Sequence, residues 1–139
     1  MYMASNGKFG TAFNCMDGRC QEAARQFVCK EAGVDHVDMP TIAGMDGVLA
    51  GKQPVVPVDS ATALAILRKE AEVSATGHGS RFAVVVGHQQ CAGNPVSDEQ
   101  HAADIRKGVE TVRSWGLFET VQGLMASEQD GKWSVQPVA

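Results

Sequence analysis

The hydrophobic pattern alternates between short apolar runs and longer segments with helical spacing. Thr11 to Met16 is an apolar run that stops at Asp17-Gly18, a turn signal, and reads as a first strand. Gln21 to Ala32 follows as a helix, with Ala24, Phe27, Val28 and Ala32 on one face and Gly33 closing it. Val34 to Met39 reads as a second strand, stopped by Pro40. Residues 41–58 are rich in Gly and Pro and read as a long irregular segment. Asp59 or Ser60 caps a helix running to about Ala75, with Ala63, Ile66, Leu67 and Ala71 inward. Gly77 and Gly79 break it. Arg81 to Gly87 is continuously apolar and β-branched after its first residue, as a parallel strand buried on both faces should be. Ser97-Asp98-Glu99-Gln100 has the form of a capping box, opening a helix to about Trp115 whose stripe is Ala102, Ile105, Val109 and Val112. Thr120 to Ala126, a turn at 128–131 and Lys132 to Val138 form a hairpin-like end.

Strands alternating with helices, followed by a hairpin, predict an α/β fold: a mostly parallel central sheet of three or four strands flanked by helices. With 139 residues and 44% hydrophobic positions, the chain suits one domain over residues 9–139, preceded by a flexible arm at 1–8. The net charge of −4 argues against a nucleic-acid partner. No apolar run approaches a membrane span, and the first eight residues have no signal-peptide character, so the cytoplasm is the expected location.

Two strand ends carry unusual residues: Cys15-Met16-Asp17-Gly18-Arg19 and His88-Gln89-Gln90-Cys91. Ligands gather at the carboxyl ends of strands in open parallel sheets. Two cysteines and a histidine make a soft donor set that suits Zn²⁺, and three protein ligands leave a fourth position open, as in catalytic sites. Asp17 can fill that position or accept a hydrogen bond from a metal-bound water, with Arg19 keeping it ionised. There is no Cys-x-x-Cys pair, which argues against a thioredoxin-like motif. Cys20 and Cys29 read as packing thiols. Gly44 and Gly47 read as turn residues, with a backbone anion nest as the sharper alternative. Gly93-Asn94-Pro95 reads as the end of the strand and the approach to the last helix.

Cys-x-Asp-x-Arg followed by Val-Val-Val-Gly-His-x-x-Cys resembles the paired signature of the β-class carbonic anhydrases, and the similarity runs from about Phe13 to Val138. The branch it resembles is short and divergent. Thr41 to Met45 keeps only the Ala-Gly core of the family's Arg-Asn-Ala-Gly-Asn, and Ala92 then Gly93 follows the second cysteine where the family has Gly. The resemblance implies Cys15, His88 and Cys91 as zinc ligands and Asp17 with Arg19 as the catalytic dyad. It implies reversible hydration of CO₂ to bicarbonate by a zinc-bound hydroxide. The alternatives are hydrolysis of CS₂ or COS at the same metal, or a catalytically silent zinc scaffold with Asp17 as fourth ligand. It also implies a homodimer or an assembly of dimers. The tail strand from Thr120 to Met125 lacks Pro and Lys and is the expected contact edge. His36, His78 and His101 are the candidates for a proton shuttle by residue type. Surface histidines are commoner, and none is assigned that role.

Overall fold

A computed structural model describes residues 7–139. The elements are β1 (Phe9–Phe13), α1 (Gly18–Ala32), β2 (His36–Asp38), α2 (Met45–Leu49), α3 (Ser60–Glu72), β3 (Phe82–His88), α4 (Asp98–Ser114), β4 (Thr120–Gln129) and β5 (Lys132–Pro137). They form one five-stranded sheet in the order β2-β1-β3-β4-β5. The first four strands are parallel and β5 returns antiparallel to β4. The expected α/β fold with a C-terminal hairpin is therefore the one observed.

Alternation along the central strands makes two cores. Phe13 of β1 and Ala83 and Val85 of β3 face Leu49, Leu67, Ile105, Val109 and Val112, under α2, α3 and α4. Ala12, Val84 and Val86 face Cys20, Ala24 and Val28 of α1 on the opposite side, with Trp133 and Val135 of β5 packed against them. Covered on both faces, β3 has no reason to alternate polar with apolar, which explains its continuous hydrophobic run.

Several boundaries differ from expectation. The first helix starts at Gly18, because Asp17 is its N-cap and accepts from the Arg19 backbone N–H at 2.9 Å. Its end is as read, with Gly33 at φ 63° in the left-handed region. The segment 41–58, expected to be irregular, holds the short α2, all of it buried. On α3, Ala63, Leu67 and Ala71 are buried at four-residue spacing. Ile66, expected inward, is 52% exposed. It sits about 100° round the helix from Leu67. The helix ends at Glu72 and passes into a π-helical turn at Val73–Gly77. Ser97 caps α4 by accepting from the Gln100 backbone N–H at 3.2 Å, but the Gln100 side chain binds Asp104 Oδ1 at 2.9 Å, so the reciprocal half of the box is not made. On the tail strand, β5 pairs with β4 over Leu124–Gln129, while Thr120–Gln122 of the expected contact edge has register partners on β3 alone among the described strands, and the outer strands of the sheet are β2 and β5.

Residues 1–6, most of the expected arm, lie outside the described residues. Lys8 is tied down: its N–H donates to Asp35 Oδ2 at 2.8 Å and its carbonyl accepts from the N–H groups of Asp35 and His36. Among the described residues, no helix is long and apolar enough to cross a membrane.

Candidate metal centre

The two ligand-bearing segments meet because β1 and β3 are adjacent and parallel. Beyond β1, Asn14 bridges to Thr41 and its N–H donates to Pro40 O at 3.2 Å, which carries Cys15 just past the sheet. His88 is the last residue of β3, and Cys91 follows a tight turn in which Gln90 takes φ 58°. Gln89 holds that turn: its Oε1 accepts from the Glu128 N–H at 3.1 Å and its Nε2 donates to Asp98 at 2.9 Å.

One donor atom from each of Cys15, His88 and Cys91 lies within 4.8 Å of the others, and all three side chains are buried. The two sulfurs are 4.0 Å apart. A tetrahedral ion with metal–sulfur bonds of about 2.3 Å sets its sulfurs about 3.8 Å apart, close to the spacing present. His88 Nδ1 donates to the carbonyl of Gln89 at 2.6 Å. That bond leaves Nε2 as the lone-pair nitrogen, and Nε2 is buried with no hydrogen-bond partner. An outer bond that fixes the tautomer and a bare inner nitrogen are what a ligating histidine requires. The donor set therefore fits a soft divalent metal such as zinc.

The electrostatics agree. The Cys15 thiol is lowered from 9.0 to about 3, chiefly by its hydrogen bond with Cys91, and further by His88 and the Gly44 N–H. Burial opposes this. The Gly44 N–H donates to Cys15 Sγ at 3.5 Å. Cys91 shifts the opposite way, pushed up by the same bond and by burial. Burial alone would lower His88, but the neighbouring Cys15 sulfur and the bond to the Gln89 carbonyl outweigh that and leave it raised.

Asp17 stands beside this cluster, not within it. Arg19 holds it through Nε, 3.0 Å from Oδ1, and Nη2, 2.6 Å from Oδ2. That grip keeps the Asp17 carboxyl at about 2, well below its ordinary 3.8. Arg19 also donates to the Gln90 side chain at 2.9 Å and to the Gln90 carbonyl at 3.2 Å, and it lies 5.2 Å over the Trp133 ring. Trp133 meets the His88 ring edge-on at 6.1 Å.

The other candidates fall elsewhere. Cys20 is buried on the inner face of α1, a packing thiol raised to about 12 by burial. Cys29 is half-buried beside Arg25. His78 pairs with Asp38 at 2.7 Å and stacks on Phe9, whose ring also flanks His36. Phe9 opens β1, so both histidines sit at the end of the sheet opposite Cys15. His101 is not a surface residue: it is fully buried against Asp46. Gly44, read as an ordinary turn, points its N–H at a ligand sulfur. Gln90, Trp133, Asp46 and Asn94 were not singled out as site residues. A charge inside the apolar stretch from Ile42 to Leu49 was the available sign for Asp46.

The fold and this cluster define an α/β protein with a Cys-His-Cys metal-binding arrangement at the carboxyl ends of its central strands. A family profile described as "Putative carbonic anhydrase" matches residues 5–139. The chain belongs to that carbonic anhydrase family, as a short and divergent member. Its fold is similar to the carbonic anhydrase from Glaciozyma antarctica, with 18% identity and a TM-score of 0.52. It is also similar to the carbonic anhydrase from Streptococcus mutans, with 16% identity and a TM-score of 0.54. In both cases the match covers 93% of this chain and 80% of the other. No curated protein matches the chain in sequence.

Proposed function

We propose that this chain catalyses reversible hydration of CO₂ to bicarbonate and a proton, with zinc held by Cys15, His88 and Cys91. The observation that carries the reading is the convergence of two sulfurs and the unpartnered His88 Nε2 in a member of a carbonic anhydrase family. Zinc held there supplies Lewis acidity, drawing the pKa of a coordinated water from 15.7 toward about 7.

The chain's own residues do the rest. Asp17 stays ionised at working pH because Arg19 binds both of its oxygens. It supplies a fixed acceptor beside the cluster, able to orient an attacking water and to take its hydrogen bond. With its oxygens committed to Arg19, Asp17 is better suited to that role than to metal ligation. Arg19 positions Asp17, and through Gln90 it couples the dyad to the turn carrying Cys91. Burial of all three donors limits access by bulk water.

Stopped-flow CO₂ hydration by the zinc-loaded protein across pH tests the reading, with COS and CS₂ hydrolysis assayed on the same preparation. Turnover of CO₂ that tracks zinc content supports it. Turnover of COS or CS₂ alone reassigns the substrate, and no turnover of any of them leaves a silent zinc scaffold.

A further inference from the structure

Four polar side chains outside the proposed chemistry are buried together beneath the metal centre. Asp46 is 2% exposed, Asn94 5%, His101 0% and Asp104 4%. Asp46 Oδ2 lies 2.6 Å from His101 Nδ1, while Oδ1 accepts from the Gly47 N–H at 2.9 Å and from Asn94 Nδ2 at 3.0 Å. The Asn94 amide also donates to Asp104 Oδ2 at 2.9 Å, and Lys52 closes the network onto Asp104 at 2.6 Å. Buried ionic networks are poor sources of net stability, since apolar residues of similar volume often do as well. Stability alone does not account for this one.

Its placement does. Asp46 contacts the chain beside His88 and Asn94 beyond Cys91, and it sits two residues from the N–H that meets Cys15. Two residues before it, the Gly44 N–H donates to Cys15 Sγ. A Cβ on Gly87, the residue before His88, would stand 2.6 Å from Asp46 Oδ2, so the carboxylate rests on that backbone. Asn94, three residues after Cys91, hangs from Asp46 Oδ1. The Gly44 and Gly93 backbones are in close contact: a Cβ on Gly93 would lie 2.5 Å from Gly44 N. His101, from α4, holds the other oxygen of the Asp46 carboxylate, Oδ2, the one that rests on Gly87.

From this juxtaposition we infer that Asp46 and His101 are positioning residues for the metal centre, acting by locking the Gly44 N–H and the 91–94 turn around the two sulfurs. The inference rests on the proposed Cys-His-Cys metal site. Neither residue touches substrate.

Zinc affinity is measured by chelator competition for His101→Leu and His101→Gln, beside hydrogen exchange of the same proteins as purified. His101→Leu is expected to bind zinc about tenfold more weakly, the lower end of what outer partners of metal ligands contribute. His101→Gln, which keeps a donor to Asp46, is expected to recover most of that loss. Faster exchange should be confined to residues 44–49 and 89–96. If His101→Leu does not fold, Asp46→Asn takes its place with the same expectations. Wild-type affinity in the apolar variant, or a uniform rise in exchange across the sheet, overturns the inference. If the wild-type chain binds no zinc, the metal reading falls instead, and the inference then stands or falls on whether the exchange change is local.

Discussion

Arg19 Nη1 donates to Gln90 Oε1 at 2.9 Å, a bond between residues 71 apart in the chain. The same guanidinium grips Asp17, so one side chain spans the two segments that bear Cys15 and Cys91. Asp17→Asn is therefore expected to keep about one zinc per chain, since Asp17 is outside the ligand cluster. It should lose about 100-fold or more in kcat/KM, the usual scale for a positioned acceptor in proton transfer. Metal analysis and CO₂ hydration on one preparation check both. Loss of zinc with the activity would make Asp17 a ligand.

The Arg19 grip also fixes a pH expectation. The folded Asp17 carboxyl sits at about 2 against an ordinary 3.8, so the ionised form is favoured by folding. Its contribution to stability is fully present above about pH 4 and is lost as pH falls toward 2. Acid inactivation between pH 5 and 7 should therefore be unchanged in Arg19→Gln. A limb in that range that moves with Arg19 would contradict the assignment.

Cys91→Ser should lower both zinc content and stability, because thiolate ligation couples metal binding to folding. Chelation of wild-type protein should lower its Tm, and the same treatment should move the variant much less. Full zinc retention in Cys91→Ser would remove Cys91 from the site.

Cys20 titrates in the opposite sense to Asp17. Burial raises its thiol from 9.0 to about 12, so folding favours the protonated form. That stabilisation is complete below about pH 9 and is lost as pH rises through 12. Iodoacetamide at pH 8 should leave Cys20 unmodified in folded protein and alkylate it in denaturant, as peptide mass spectrometry reads directly.

A homodimer is expected, with sedimentation at micromolar concentration giving a mass about twice the 14.7 kDa chain. The outer strands of the sheet are β2 and β5, and Thr120–Gln122 of β4 lies beyond the register with β5. A fully active species at the monomer mass would show that the site is complete within one chain.

The strands, the three long helices and the residues of the Cys15, His88 and Cys91 cluster were legible because each carries a local signal. Apolar runs marked β1 and β3, caps and periodicity marked the helices, and the ligands followed immediately on strands. What was not legible depended on contacts distant in sequence. Nothing local says that Gly44 aims its N–H at Cys15, 29 residues away, or that His101 lies 55 residues from its carboxylate. Ile66 was misplaced for a local reason: helical periodicity admits two adjacent faces, and the packing of Leu67 chose between them. Asp17 was read as a turn residue because Asp-Gly signals a turn as readily as a cap.

Cys15 and Cys91 stand 76 residues apart, yet they emerge from neighbouring strands. During synthesis, the first sulfur waits for more than half of the chain to be made before its partner exists. The approach of the two sulfurs therefore exists only where β3 lies beside β1. Without that pairing Cys15 lacks the neighbouring Cys91 thiol, the group that does most to draw its own thiol down.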